Sequence, residues 1–151
     1  MITWYEERVI SVNIEKIWRL FDLENIQRIM PNVIEHKVLE KKEGVVGSTY
    51  QQKYKEGKRV ETYIVEDVEY ENTDHKKHNK SKFTLAKMFD VEVSFTLIKI
   101  DENQTRFIYQ GQNKGANFFG KILLKLASLK SNDKVVKEFM DLVEAESLKK
   151  I

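Results

Sequence analysis

The chain has no cysteine, a single proline and only six glycines in 151 residues. Without cysteine there is no disulfide framework, no thiolate nucleophile and no Cys-based zinc or iron–sulfur site, a usage that fits a reducing cytoplasm. Charge of one sign is also missing. The 26 basic and 24 acidic residues leave a formal net charge of +2, and they are interspersed rather than sorted into blocks, so nucleic acid is not an expected partner. No long apolar run is present either. The most apolar window, Phe118 to Leu129, is broken by Lys121 and Lys125, and Glu6, Glu7 and Arg8 arrive too early for a signal-peptide core. Neither integral membrane association nor a leader is expected, and the expected location is cytoplasmic.

Several chemistries lack their sequence signatures. There is no Gly-x-Ser-x-Gly elbow, no phosphate-cradling loop and no dinucleotide fingerprint. His36 stands alone, and on an extended strand His75 and His78 would face opposite sides, so neither a metal site nor a cofactor is expected.

What the chain does have is pattern. From Asn117 onward, about thirty residues read as one amphipathic helix, with Phe118, Phe119, Ile122, Leu123, Leu126, Leu129, Val136, Phe139, Met140 and Val143 at three-and-four spacing. Before it come strand-like segments: Ile2 to Val12, Val33 to Lys42, Gly47 to Lys55, Arg59 to Tyr70, His75 to Ala86, Phe89 to Ile100 and Thr105 to Gln112. Asn13 is placed to cap a short helix carrying Ile14, Ile17, Trp18 and Phe21. Asp22 offers a second cap for Leu23, Ile26, Ile29 and Met30, and Pro31 closes that stretch. The composition predicts one α+β domain over 1–151, a curved seven-stranded antiparallel sheet wrapped around a long C-terminal helix, with two short helices after the first strand.

Strand phase decides which polar groups face inward. In Phe89 to Ile100, the set Phe89, Val91, Val93, Phe95 and Leu97 forms the inner face. In Arg59 to Tyr70, two sets compete: Val60, Thr62, Ile64, Glu66, Val68 and Tyr70 against Glu61, Tyr63, Val65, Asp67 and Glu69. The more apolar first set is expected inside. It would turn Glu66 inward as the one catalytic candidate, unless a bulge or a strand end leaves that carboxylate wet.

This order of elements resembles the START-like superfamily, which includes the birch-pollen allergen (Bet v 1-like, SRPBCC) fold and the polyketide cyclase/dehydrase and lipid transport families. The residues that carry the resemblance are Val9-Ile10-Ser11-Val12-Asn13-Ile14-Glu15-Lys16-Ile17-Trp18, Asn25-Ile26-Gln27-Arg28-Ile29-Met30-Pro31-Asn32-Val33, Val46-Gly47-Ser48 and Thr105-Arg106-Phe107. It implies a helix-grip fold with an elongated apolar cavity between sheet and last helix, and a hydrophobic ligand in that cavity. It carries over no catalytic set, because the polar residues of such cavities differ between subfamilies.

The residues expected to line that space are Ile26, Met30, Tyr50, Tyr54, Tyr63, Phe83, Phe95, Tyr109, Phe119, Leu123, Phe139 and Met140. Rings would wall an apolar ligand and phenols would orient it; the competing reading is that the same rings simply fill a core. The mouth would lie between Met30-Pro31-Asn32 and the Gly111 to Gly120 segment, near Asn113, Lys114 and Asn117. Gly111, Gly115 and Gly120 could loosen it or merely turn the chain.

Three functions are open. The first is a carrier of a hydrophobic small molecule, lipid or polyketide-like. The second is a cyclase- or dehydratase-like enzyme using an interior carboxylate and a tyrosine. The third is a macromolecular partner protein, ribosome-associated or regulatory, acting through His75-Lys76-Lys77-His78-Asn79-Lys80-Ser81-Lys82. Against the third, the acidic residues of the preceding strand would neutralise that stretch, which otherwise reads as a solvated strand. Ile98, Leu142 and Ile151 leave monomer and homodimer equally open.

Overall fold

The computed structural model describes residues 1–117, 120–121 and 129–149. The expected helix positions Phe118, Phe119, Ile122, Leu123 and Leu126 lie outside that set, as does the side chain of Leu129.

Seven antiparallel strands form one sheet: β1 (Ile2–Ile10), β2 (Val33–Glu40), β3 (Thr49–Glu56), β4 (Arg59–Asn72), β5 (Lys76–Leu85), β6 (Phe89–Asp101) and β7 (Gln104–Gly115). Their order across the sheet is β1-β7-β6-β5-β4-β3-β2. Six of the seven therefore follow one another as hairpin neighbours, and β1 closes the far edge on β7. Between β1 and β2 come α1 (Ile14–Trp18), a 3-10 turn (Arg19–Phe21) and α2 (Ile26–Ile29); α3 (Leu129–Leu148) ends the fold.

Local chemistry explains the junctions. Asn13 caps α1 as expected, its Oδ1 accepting from the Glu15 amide at 2.9 Å. At α2 the cap position falls to Asn25, with no side-chain cap bond. Asp22 contributes its backbone carbonyl instead, which accepts from the amides of Asn25 and Ile26 at 2.9 and 2.8 Å. The β3–β4 hairpin turns at Gly57, with φ of +61°, a conformation glycine adopts without steric cost.

The core is built where the short helices and α3 meet the β1–β7–β6 side of the sheet. Ile10, Ile14, Ile17, Leu20, Ile29, Leu97, Phe107, Met140 and Val143 are buried together, with Trp18, Phe21, Ile26, Met30, Tyr109 and Phe139 packed against them. α3 packs chiefly on β1, α1, the 3-10 turn and α2. Arg8, on the inner face of β1, fastens it there by donating to Asp141 at 2.7 Å and Glu144 at 3.1 Å.

The inner phase of β6 is as expected: Val91, Phe95 and Leu97 are buried. That of β4 is not. Tyr63, Val65 and Asp67 are the buried residues, whereas Val60 and Ile64 are 47% and 49% exposed. The pairing with β5 runs Asp67↔Ser81 and then Glu69↔Lys80, so Val68 is an extra residue. Such a bulge shifts the phase by one. Beyond it Tyr70 faces inward and meets Trp18 at 6.3 Å between ring centroids. The expected inner set is therefore wrong before Val68 and right only at its end.

Candidate ligand-binding site

The inner face of the sheet has two unlike halves. Over β1, β7 and β6 the protein's own rings fill the space. Phe21 meets Phe95 at 4.9 Å, Phe95 stacks on Tyr109 at 5.3 Å, and Tyr109 meets Phe139 at 4.7 Å. Of the expected lining residues, Ile26, Met30, Phe95, Tyr109, Phe139 and Met140 all belong to this apolar cluster. Phe95 and Met140 are 7% and 1% exposed, which makes them packing residues of the core. Phe119 and Leu123 fall outside the described residues.

Over β2 to β5 the inner face is aromatic and polar, and several of its side chains are only half-buried. Tyr63 stacks on Phe83 with centroids 4.7 Å apart and planes inclined by 22°. Tyr50 stacks on His36 at 5.0 Å and 21°. Tyr54 accepts a long hydrogen bond from Asn32 Nδ2 at 3.5 Å. The register sets Tyr50 opposite Val65, Gln52 opposite Tyr63 and His36 opposite Gln52, so these residues form adjoining rows on one surface.

The same face carries Asp67, 5% exposed. Its Oδ1 accepts from Asn79 Nδ2 at 3.0 Å and from Ser81 Oγ at 3.1 Å. Both partners are neutral. Tyr50 lies alongside: burial first, and then the Asp67 carboxylate, pushes its phenol up to about 12. Burial also lowers the pKa of His36, against smaller opposing effects of Gln52 and Asp67, so its neutral imidazole is favoured. Its Nδ1 is buried without a hydrogen-bond partner.

Glu66, the expected catalytic carboxylate, is not in this site. The bulge places it on the outer face, where it pairs across to Lys82 and lines an open groove of about 500 Å³ with Ile64, Lys82, Thr84, Glu92 and Gln112. The interior acid is its neighbour Asp67. That residue stood in the competing inner set; what the sequence did not disclose was the extra residue at Val68. Asn79 and Ser81 were read only as part of a basic strand. Their alternation with Lys80 and Lys82 was the available signal, since it puts two neutral polar residues on one face and two lysines on the other.

The glycines in and after β7 are packing positions. A Cβ on Gly111 would strike the Trp4 indole, one on Gly115 the Lys121 backbone, and one on Gly120 the Met88 carbonyl. The basic strand is internally neutralised: Lys76 reaches Glu71 at 3.4 Å, His78 reaches Glu69 at 2.8 Å, and Lys80 lies 3.8 Å from Glu69 and 3.7 Å from Glu92. Lys77, expected in solvent, is 3% exposed and is held by Glu15 at 2.9 Å and Asn72 at 2.5 Å. Among the described residues no helix is long and apolar enough to cross a membrane.

The phenols give a check on this burial. Tyr50, Tyr63 and Tyr109 are each pushed up to about 12, chiefly by desolvation, against about 10 for an unfolded tyrosine. A raised phenol stabilises the fold fully below pH 10, and that contribution is lost as pH climbs from 10 towards 12, because the unfolded chain releases these protons first. In an alkaline titration followed at 295 nm, at least three of the six tyrosines should ionise only together with loss of the far-UV CD signal. Ionisation of all six near pH 10 in a still-folded protein would contradict the burial.

Sheet, short helices and closing helix together make the helix-grip architecture of START-like, Bet v 1-like proteins, with a seven-stranded antiparallel sheet. No protein-family profile matches the chain, and no curated protein does. Solved structures do match. A hypothetical protein of Helicobacter pylori has a TM-score of 0.75 at 14% identity, over 97% of this chain and 88% of that one. An aromatase/cyclase from Streptomyces sp. R1128 has a TM-score of 0.69 at 10% identity, over 97% and 93%. The ginseng major latex-like protein from Panax ginseng has a TM-score of 0.68 at 16% identity, over 98% of each chain. At such identities the likeness is one of fold, and function has to be argued from the site.

Proposed function

We propose that this protein binds a hydrophobic small molecule against the inner face of β2 to β5. The observation that supports this most is the contrast between the two halves: one is filled by interlocked rings, the other presents stacked aromatics, with His36, Tyr50 and Phe83 only half-buried, on the face that carries the buried Asp67. Flat aromatic walls with a few convergent polar groups are what a small-molecule site needs. The stack of Tyr63 on Phe83 supplies such a wall. The similar folds of the Streptomyces aromatase/cyclase and the ginseng latex-like protein are consistent with it.

An uncharged polarity-sensitive dye titrated into the protein should brighten and saturate. Tyr63→Ala should weaken its binding at least fivefold, while Tyr5→Ala, 56% exposed on β1, should leave it unchanged. A dye that never saturates, or equal affinity in both variants, would remove the reading.

One observation favours a second reading, a cyclase- or dehydratase-like enzyme. Such chemistry uses an interior carboxylate as base and a phenol to steady an enolate, and Asp67 beside Tyr50 supplies that pair in place of Glu66. Turnover of an aromatic polyketide mimic that is abolished in Asp67→Asn and reduced in Tyr50→Phe would favour it; binding without turnover would leave the carrier.

A further inference from the structure

The hydrogen bonds that reach the Asp67 side chain come from neutral groups. Three acceptor atoms meet there: the two Asp67 oxygens and Asn79 Oδ1. Asn79 Nδ2 donates to Asp67 Oδ1 at 3.0 Å. Ser81 Oγ lies 3.1 Å from that oxygen and 3.0 Å from Asn79 Oδ1, but a hydroxyl has one proton and serves one of them at a time. The Tyr50 phenol, which hydrogen-bonds the Asp67 carboxylate, is a further neutral donor. None of these donors carries a charge.

What the cluster is short of is positive charge. No ion pair among the described residues includes Asp67. The other cations of the inner face are committed elsewhere, Arg8 to Asp141 and Glu144, Arg59 to Glu61, Lys77 to Glu15 and Lys99 to Glu102. His36 feels the Asp67 charge, but burial disfavours its charged form. A carboxylate this buried is ordinarily paired, because desolvation without a counter-ion is costly.

From this missing charge, and resting on the binding reading above, we infer that the ligand is a hydrophobic amine whose ammonium group pairs with Asp67. An ammonium brings the positive charge that the cluster lacks, together with donors that hold it to the carboxylate. The Tyr50–His36 and Tyr63–Phe83 stacks would cover its apolar body, and an aromatic face attracts a cation further. A carboxylate-headed ligand such as a fatty acid would meet Asp67 with like charge and no proton to offer.

Three probes with one apolar body separate the charge types: 1-naphthylmethylamine, 1-naphthalenemethanol and 1-naphthoic acid, titrated calorimetrically at pH 7 and low salt. The ammonium should bind at least tenfold more tightly than the alcohol, with the carboxylate weakest. Asp67→Asn, with its fold checked by CD, should bring amine and alcohol within about twofold, whereas Glu66→Gln on the outer face should keep the wild-type ranking. If the alcohol or the carboxylate binds wild type as tightly as the amine, the inference falls and the pocket stands. If Asp67→Asn keeps the tenfold preference, the inference likewise falls. If neither the probes nor the uncharged dye bind, the pocket itself falls. Should Asp67→Asn fail to fold, the wild-type ranking alone decides.

Discussion

Truncating Phe107 to alanine should lower the unfolding free energy by about 3–5 kcal/mol, the range for a fully buried phenylalanine whose surroundings cannot collapse. The ring is 0% exposed. Arg8 on β1 and Leu97 on β6 flank it across the sheet, while Phe21 and Phe139 approach edge-on at 6.2 and 6.5 Å. Phe107 is thus where sheet, 3-10 turn and α3 converge. Strands on both sides hold the backbone at fixed spacing, so the vacated volume stays largely empty. In a domain of this size each kcal/mol moves Tm by about 2–4 °C, and thermal unfolding followed by far-UV CD measures the loss. Val9→Ala, on an outer position of β1 that is 47% exposed, should stay within about 0.5 kcal/mol of wild type. Below its melting range the Phe107→Ala protein should still bind the uncharged dye within about twofold, because the binding half of the sheet lies across β5. Parallel loss of stability and dye affinity would mean that core and site are one unit.

That division into halves was only partly legible in the sequence. Period-two alternation marked all seven strands, and the β6 set from Phe89 to Leu97 faces the way its pattern dictates, because nothing interrupts its alternation. Asn13 was readable as a cap because one side-chain oxygen suffices for that role. Asp22 was not, since at α2 the bonding passes through backbone carbonyls, which every residue has. The β4 phase was ambiguous for a physical reason. Val60 and Ile64 make one face look apolar, yet both project outward, and the extra residue at Val68 that reconciles Tyr63 with Tyr70 has no composition of its own. One residue of register separated Glu66 from Asp67, and with it an outer-face carboxylate from an interior one. Aromatic content, likewise, could name the rings near the interior but not sort them. Phe95, Tyr109 and Phe139 interlock because β6, β7 and α3 converge there, whereas Tyr63 and Phe83 meet across neighbouring strands; that distinction is tertiary.

Gly111→Ala should destabilise the protein by about 1–3 kcal/mol, the cost of overpacking a well-filled interior. Removing a glycine from a strand ordinarily helps, by about 0.4–1 kcal/mol where the backbone is compatible, because the unfolded chain loses freedom. The sign is reversed here by what the new methyl would meet. Gly111 sits opposite Trp4 on β1 and Val93 on β6. A Cβ would run into the Trp4 indole on one side and stand 2.5 Å from the Glu92 carbonyl oxygen on the other. The carbonyl belongs to a paired strand and cannot retreat, so the indole must move, and it leans on Tyr109 at 5.7 Å between centroids. Displacing it therefore disturbs the ring cluster from its β1 edge. Combining Gly111→Ala with Trp4→Leu should cost less than the sum of the two single changes, since the smaller side chain removes one of the two clashes. Full rescue is not expected, because the carbonyl contact remains. Strict additivity in urea unfolding would show that Trp4 is not what the missing Cβ accommodates, and the glycine would then have to be explained by the backbone alone.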